Sequence, residues 1–129
     1  MILGKCNKKS HKLVEQEDIS ETVLWSSTST SNKYTYDITL SSDPTKYDYL
    51  LLYMYAPSGK RNVIGIARYY GGSWYAVSSA TVYRTISLTL TSTSTSLHVE
   101  VAEWFNSSNN NGVQLRAIVG VNRGGATSS

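Results

Sequence analysis

The chain has 129 residues, a length typical of one domain that can bury a hydrophobic core without disulfides or bound metal. Charged residues make up 16% of it and Ser plus Thr about a quarter, so its polar surface consists largely of hydroxyl and amide groups. The net charge of +3 is scattered along the chain, which argues against nucleic-acid binding, and the lone Cys6 excludes an internal disulfide.

The first 21 residues differ in composition from the rest of the chain. A lysine-rich piece is followed by an acidic one, and no apolar period connects them. The segment MILGKC has too short an apolar run for a signal peptide, and no stretch approaches the about 20 apolar residues of a membrane span. We therefore expect a protein made in the cytoplasm of its producing cell, without membrane insertion. Residues 1–21 are predicted to form an N-terminal arm, residues 22–123 one domain and residues 124–129 a tail.

From Thr22 onward, apolar and polar side chains alternate with a period of two, which is typical of half-buried β-strands. In YTYDITL, for example, Tyr36, Ile38 and Leu40 fall on one face and Asp37 on the other. The run at 50–54 is apolar almost throughout, which predicts a central strand covered on both faces. The predicted strands are, in chain order, residues 22–25, 34–40, 47–55, 62–69, 85–91, 97–104 and 113–121.

Turn-forming residues separate these strands at intervals of about a dozen residues. Such spacing, without a helical period, predicts an all-β fold, either an antiparallel sandwich or a barrel. Of the two we expect an antiparallel β-sandwich of jelly-roll or Greek-key type with a short N-terminal arm. Asn111-Gly112 supplies the residues of a tight hairpin turn, so we predict that residues 97–104 pair antiparallel with residues 113–121.

Catalytic and metal-binding patterns are missing from the sequence. His11 and His98 belong to no metal-ligand motif, and His98 is predicted to be an exposed strand residue that faces away from Leu97. Glu100 and Glu103 should lie on opposite faces of one strand, so they do not form a matched catalytic pair. We predict no catalytic residues, no metal site and no cofactor.

The segment ARYYGGSWYAV, residues 67–77, is the strongest candidate for a binding site. Aromatic rings stack on the apolar face of sugars, and an arginine, Arg68 or Arg84, would contact an acidic group. The predicted ligand-binding residues are Arg68, Tyr69, Tyr70, Trp74 and Tyr75. The simpler interpretation is that Gly71-Gly72 forms a two-residue hairpin turn and the rings pack on the core or across strands. Even in a binding loop, only some of the four rings would face a ligand.

Residues 21–57, ETVLWSSTSTSNKYTYDITLSSDPTKYDYLLLYMYAP, resemble β-rich modules at the ends of tail-fibre, baseplate and related host-recognition proteins of tailed bacteriophages. The resemblance is carried by ETVLW, a Ser/Thr loop, an alternating strand that ends in TLSS, and KYDYLLLYMY. VQLRAIVGVNR, residues 113–123, is similar to the closing strand of those modules. The chain departs from that family by lacking a long shaft and a large anchoring domain.

The resemblance implies a noncatalytic virion structural protein, usually a homotrimer, that contacts a saccharide on the host cell surface. Virion proteins would be contacted through the arm of residues 1–21. A head-fibre or capsid decoration protein is as compatible with the resemblance as a tail-tip adhesin. The alternative in another class is a free carbohydrate-binding module or lectin-like domain, and a glycan hydrolase ranks third.

Overall fold

The structure of the protein is a computed structural model that describes residues 18–57, 60–77, 84–105, 109–110 and 112–123. Nine β-strands occur within these ranges, with a one-turn 3-10 helix at Pro44–Lys46 between the second and third strands. The strands are β1 (Ile19–Ser26), β2 (Thr35–Thr39), β3 (Tyr49–Ala56), β4 (Arg61–Tyr70), β5 (Ser73–Val77), β6 (Arg84–Thr93), β7 (Ser96–Phe105), β8 (Asn109–Asn110) and β9 (Gln114–Arg123).

The strands form two antiparallel sheets packed together, which confirms the predicted all-β sandwich. The first, which we call the five-stranded sheet, has the strand order β1-β9-β3-β4-β5. The second sheet has the order β2-β7-β6, and the short β8 pairs with the end of β7. The chain changes sheets four times, after β1, β2, β5 and β8, so most strands have at least one partner that is distant in sequence.

The core lies between the two sheets and is built from the inward face of each strand. Leu50, Leu52 and Met54 alternate along β3 with side chains that are only half-buried, as the period of two predicts. The second sheet contributes a matching inward set. The fully buried members of the core include Leu50, Leu52, Met54, Ile86, Leu97, Val99, Val113, Leu115 and Ile118.

The position of β3 was predicted correctly, but the burial of its two faces was not. β3 is the middle strand of the five-stranded sheet. Its inward residues are buried, whereas Leu51, Tyr53 and Tyr55 on the other face are half-exposed. The apolar run at 50–54 therefore reflects one core-facing row and one apolar row on the outer surface.

The predicted hairpin between residues 97–104 and 113–121 is wrong. β7 has β6 along one edge and β2 and β8 along the other, so it has no free edge for β9. β9 instead crosses to the five-stranded sheet and pairs with β1 and β3. Gly112 does adopt a positive φ of 70°, but it serves this crossing between sheets and not a two-residue hairpin turn.

The first strand begins three residues earlier than predicted, within the segment assigned to the arm. Ile19, Ser20 and Glu21 pair with the last three residues of β9, which makes them part of the five-stranded sheet. Residues 1–17 of the predicted arm and the predicted tail at 124–129 lie outside the described residues. No helix in the described part of the chain has the length and apolar character needed to cross a membrane.

Candidate functional site

Gly71 and Gly72 form the predicted two-residue turn between β4 and β5. Their φ angles are +60° and +89°, and Tyr70 pairs with Ser73 directly across the turn. Only glycine adopts two successive positive φ angles readily, and this backbone twist matches that of the flanking strands. The predicted two-residue hairpin turn is therefore confirmed, and the orientation of its side chains decides which of them can share a site.

The hairpin divides the five predicted binding residues between two faces of the sheet. Tyr69 pairs with Trp74, and their side chains lie on the side of the second sheet. Arg68 pairs with Tyr75, and each lies one position along its strand from the Tyr69–Trp74 pair. Because successive side chains point to opposite faces, Arg68 and Tyr75 lie on the outer face of the sheet, as does Tyr70. Tyr70 and Tyr75 are 66% and 61% exposed there. One ligand at the groove side would contact Tyr69 and Trp74 but not the other three.

Trp74 is fixed in place by contacts to both sheets. Its indole Nε1 donates a hydrogen bond of 2.9 Å to Ser92 Oγ on β6, and the ring packs on the edge of the core. The ring of Tyr69 meets it edge to face, with centroids 5.2 Å apart and planes at 61°. Tyr69 remains 37% exposed. The pair thus presents a fixed aromatic corner in which one ring is open to solvent.

This corner lines an open groove where β5, at the edge of one sheet, approaches β6, at the edge of the other. The groove has a volume of about 370 Å³. We call it the edge groove, and it is lined by Tyr69, Gly72, Ser73, Trp74, Leu90, Thr91 and Ser92. Aromatic surface beside hydroxyl groups is the combination that a sugar ring requires, because its C–H face packs on rings while its hydroxyls need polar partners.

A second depression, of about 280 Å³, shares Thr91 and Ser92 with the edge groove and extends over the outer face of the second sheet. Asp37, His98 and Thr91 lie side by side there on three neighbouring strands. The imidazole of His98 contacts Asp37 Oδ1 through Nδ1 at 2.5 Å and Glu100 Oε2 through Nε2 at 3.1 Å. The hydroxyl-lined surface of the edge groove is therefore continuous with a charged cluster.

His98 was predicted to face away from Leu97, and this is confirmed. Its pairing with Asp37 was not predicted, because the two residues are 61 positions apart and meet only through the register of β2 on β7. Glu100 and Glu103 do lie on opposite faces, the first exposed and the second fully buried. Within the described ranges, no group of three or more His, Cys, Asp or Glu side chains is arranged to hold a metal ion.

Hydrogen bonds to Asp37 and then to Glu100 raise the pKa of His98 above its ordinary value of 6.5. Because the folded-state pKa is the higher one, this contribution to stability is complete below pH 6.5 and disappears as the pH rises through the raised pKa. We expect an NMR titration to give a His98 pKa above 6.5 and Asp37→Asn to lower it. A value at or below 6.5 in the unmodified protein would contradict the geometry, and Thr39→Ala, which removes a neighbouring polar group without charge, serves as the control.

Comparisons of the chain with protein-family models, with curated proteins and with solved structures yielded no match.

Proposed function

We propose that the protein is a noncatalytic bacteriophage virion structural protein that binds a saccharide of the host cell surface in the edge groove. The observation that carries the binding proposal is the aromatic corner of Tyr69 and Trp74 beside the hydroxyls of Ser73, Thr91 and Ser92. The groove is open along the edge of the sandwich, which suits a chain of sugar units better than a small molecule that must be enclosed.

The virion assignment is supported by the resemblance of residues 21–57 and 113–123 to phage host-recognition modules. Under this proposal the chain assembles as a homotrimer and contacts other virion proteins through residues 1–21. The sandwich then carries the edge groove toward the host. A tail fibre, a baseplate and a head fibre would each use the same groove, so the proposal concerns the class of protein and its ligand.

Glycan binding is tested with an array of bacterial surface polysaccharides, followed by titration of a soluble oligosaccharide cut from a polysaccharide that binds. We expect Tyr69→Ala and Trp74→Ala each to raise the dissociation constant about tenfold or more, because each removes one ring of the stacking corner. Intrinsic tryptophan fluorescence and isothermal calorimetry would measure the change.

The hairpin itself supplies the matched control. Tyr70→Ala removes a ring from the same turn, but on the outer face, and should leave the dissociation constant unchanged. Tyr69→Ala is the more informative variant, since the partly buried Trp74 also supports the core, and circular dichroism would verify the fold of both. Equal losses from Tyr69→Ala and Tyr70→Ala, or no binding to any bacterial polysaccharide, would reject the edge groove as the site.

The free carbohydrate-binding module is the second candidate, because the edge groove by itself fits it equally well. The two differ in their partners. Labelled protein that attaches to purified virions lacking it supports the virion assignment, and attachment to host cells alone supports the free module.

A further inference from the structure

Arg116 occupies an extra position in β9. The pairing of β9 with β3 shifts register between Leu115 and Ala117, so Arg116 is the additional residue of a β-bulge. A bulge bends its strand locally and changes the direction of a side chain. Here the guanidinium lies over the ring of Tyr55, with its central carbon 5.5 Å from the ring centroid. The bulge thus directs a cation to the outer face of the five-stranded sheet.

Two neighbouring amides hold the guanidinium in one orientation. Arg116 Nη2 donates a hydrogen bond of 2.6 Å to Gln114 Oε1, and Gln114 Nε2 donates one of 3.0 Å to Asn32 Oδ1. Gln114 is 9% exposed, so this chain of hydrogen bonds is largely protected from water. An arginine that is already fixed loses less conformational freedom when a ligand binds to it.

No carboxylate neutralises this cation within the part of the chain that the structure describes. The ion pairs found there join His98 to Asp37 and Glu100, and Gln114 is a neutral acceptor. The side chain of Arg116 is half-buried, and its Nε atom is buried without a hydrogen-bond partner. Withdrawing a charge from water without a counter-ion is costly, and a buried donor without an acceptor is rare in folded proteins. These features together indicate an anion site.

The guanidinium borders a depression of about 620 Å³ on the outer face, which we call the Arg116 depression. Tyr53 and Ile64 pair across neighbouring strands there, and Asn62 adds an exposed amide. A cleft of this size, with mainly apolar walls and a few placed polar groups, is the usual form of a small-molecule site. The depression is lined by Tyr53, Met54, Asn62, Val63, Ile64 and Arg116.

We propose that the Arg116 depression binds a carboxylate attached to a ring. A planar carboxylate matches the planar guanidinium, which can donate two parallel hydrogen bonds to it. The ring of the ligand packs on Tyr53 and Ile64, and the Asn62 amide is available to a polar substituent. A neutral sugar leaves the cation without a partner, and a doubly charged phosphate costs more to desolvate against apolar walls. The site shares no residue with the edge groove, so it goes beyond the proposed function.

The test is a titration of the full chain with two ring carboxylates, followed by NMR of the backbone amides. Glucuronate represents a saccharide source of the carboxylate and benzoate an apolar source, and glucose and benzamide are their uncharged counterparts. We expect at least one carboxylate to shift the signals of Tyr53, Asn62 and Ile64, with a dissociation constant in the millimolar range that suits so small a ligand. Binding of glucuronate would identify an acidic saccharide, and binding of benzoate alone an apolar acid. The uncharged compounds should cause no shift.

Arg116→Gln should raise this dissociation constant about tenfold or more, because it removes the charge that pairs with the carboxylate. Arg68→Gln is the matched control. Arg68 also lies over a tyrosine ring on the outer face, that of Tyr70 at 5.8 Å, but outside the Arg116 depression, so its substitution should leave the affinity unchanged. Asn62→Asp keeps Arg116 and adds a carboxylate to the wall of the depression, which should compete with the ligand and weaken binding as well.

Signals that do not move with either carboxylate up to tens of millimolar would overturn the proposal, as would equal losses from Arg116→Gln and Arg68→Gln. Equal affinity for the uncharged compounds would overturn it too. Circular dichroism would verify the fold of each variant, and if Arg116→Gln does not fold, unchanged binding by Asn62→Asp would be decisive against the site. Tyr69→Ala should leave carboxylate binding intact, so the edge groove and the Arg116 depression stand or fall separately.

Discussion

We expect Tyr36→Phe to lower the free energy of unfolding by about 2 to 4 kcal/mol, although the substitution removes a single oxygen atom. The Tyr36 hydroxyl is buried at the point where the chain passes from the second sheet to β9. It donates a hydrogen bond of 2.6 Å to the carbonyl oxygen of Val113 and accepts one of 3.0 Å from the backbone N–H of Leu115. One phenol thus joins β2 to the start of a strand in the other sheet.

The two hydrogen bonds contribute unequally to this loss. The Val113 carbonyl also accepts from the backbone N–H of Lys33 at 2.9 Å, so it keeps a partner in the variant. The Leu115 N–H loses the phenol oxygen in a buried position, and a buried donor left unsatisfied costs about 1 to 3 kcal/mol. The ring and its contact with the Lys33 ammonium, 4.9 Å from the centroid, are retained in phenylalanine.

Chemical denaturation would measure the loss, with Tyr34→Phe as the control. Tyr34 is two residues away and exposed, so removing its hydroxyl should change the unfolding free energy by less than about 0.5 kcal/mol. A second measurement uses pH. Burial raises the pKa of the Tyr36 phenol above its ordinary value of 10.0, and the hydrogen bond from the Leu115 N–H offsets part of this rise. Because the folded-state pKa is the higher one, the contribution of this phenol to the free energy of unfolding is complete below pH 10.0 and is lost as the pH rises through the raised pKa. Equal stabilities of the two variants would contradict the assignment of this hydroxyl to the sheet junction.

The strands and the faces of the sandwich were predictable because they depend on neighbouring residues. Apolar and polar residues alternate with a period of two within each segment, and this alternation predicts that Ile38 and Leu97 point inward. The Gly71-Gly72 turn was predictable for the same reason, since its conformation requires two adjacent residues that tolerate positive φ. Local chemistry therefore predicted seven of the nine described strands, all except β5 and β8.

The partners of the strands were not predictable, and the edge groove depends on them. Ser92 meets Trp74 across 18 residues and between two sheets, and Asp37 meets His98 across 61 residues. Alternation predicts that such a residue points inward or outward, but no pattern within a strand says which strand lies beside it. Alternation within β4 separates Tyr69 from Arg68 and Tyr70, and the two-residue turn pairs Tyr69 with Trp74. Which of the two faces meets the second sheet follows only from the approach of β5 to β6, which no local pattern predicts.

The positive φ of Gly112 was predicted correctly, but the strand pairing predicted from it was wrong. Substitution of Gly112 also has a large expected effect on stability. We expect Gly112→Ala to lower the free energy of unfolding by about 2 to 5 kcal/mol. The φ of +70° disfavours any side chain, and a Cβ built there lies 2.9 Å from the backbone carbon and oxygen of Lys33. The backbone at Lys33 must move away from residue 112 to admit the added Cβ, which weakens the paired hydrogen bonds between Lys33 and Val113.

Gly71→Ala is the matched control because Gly71 has nearly the same φ, +60°, with no atom within 4 Å of an added Cβ. This variant should lose only the about 1 to 2 kcal/mol of a left-handed alanine. The difference between the two variants in chemical denaturation therefore isolates the contact with Lys33. Equal losses would mean that the chain does not pass this close to Lys33. A larger loss at Gly112 would confirm the close approach of Lys33 to this glycine, the contact that Gly71 in the hairpin turn does not make.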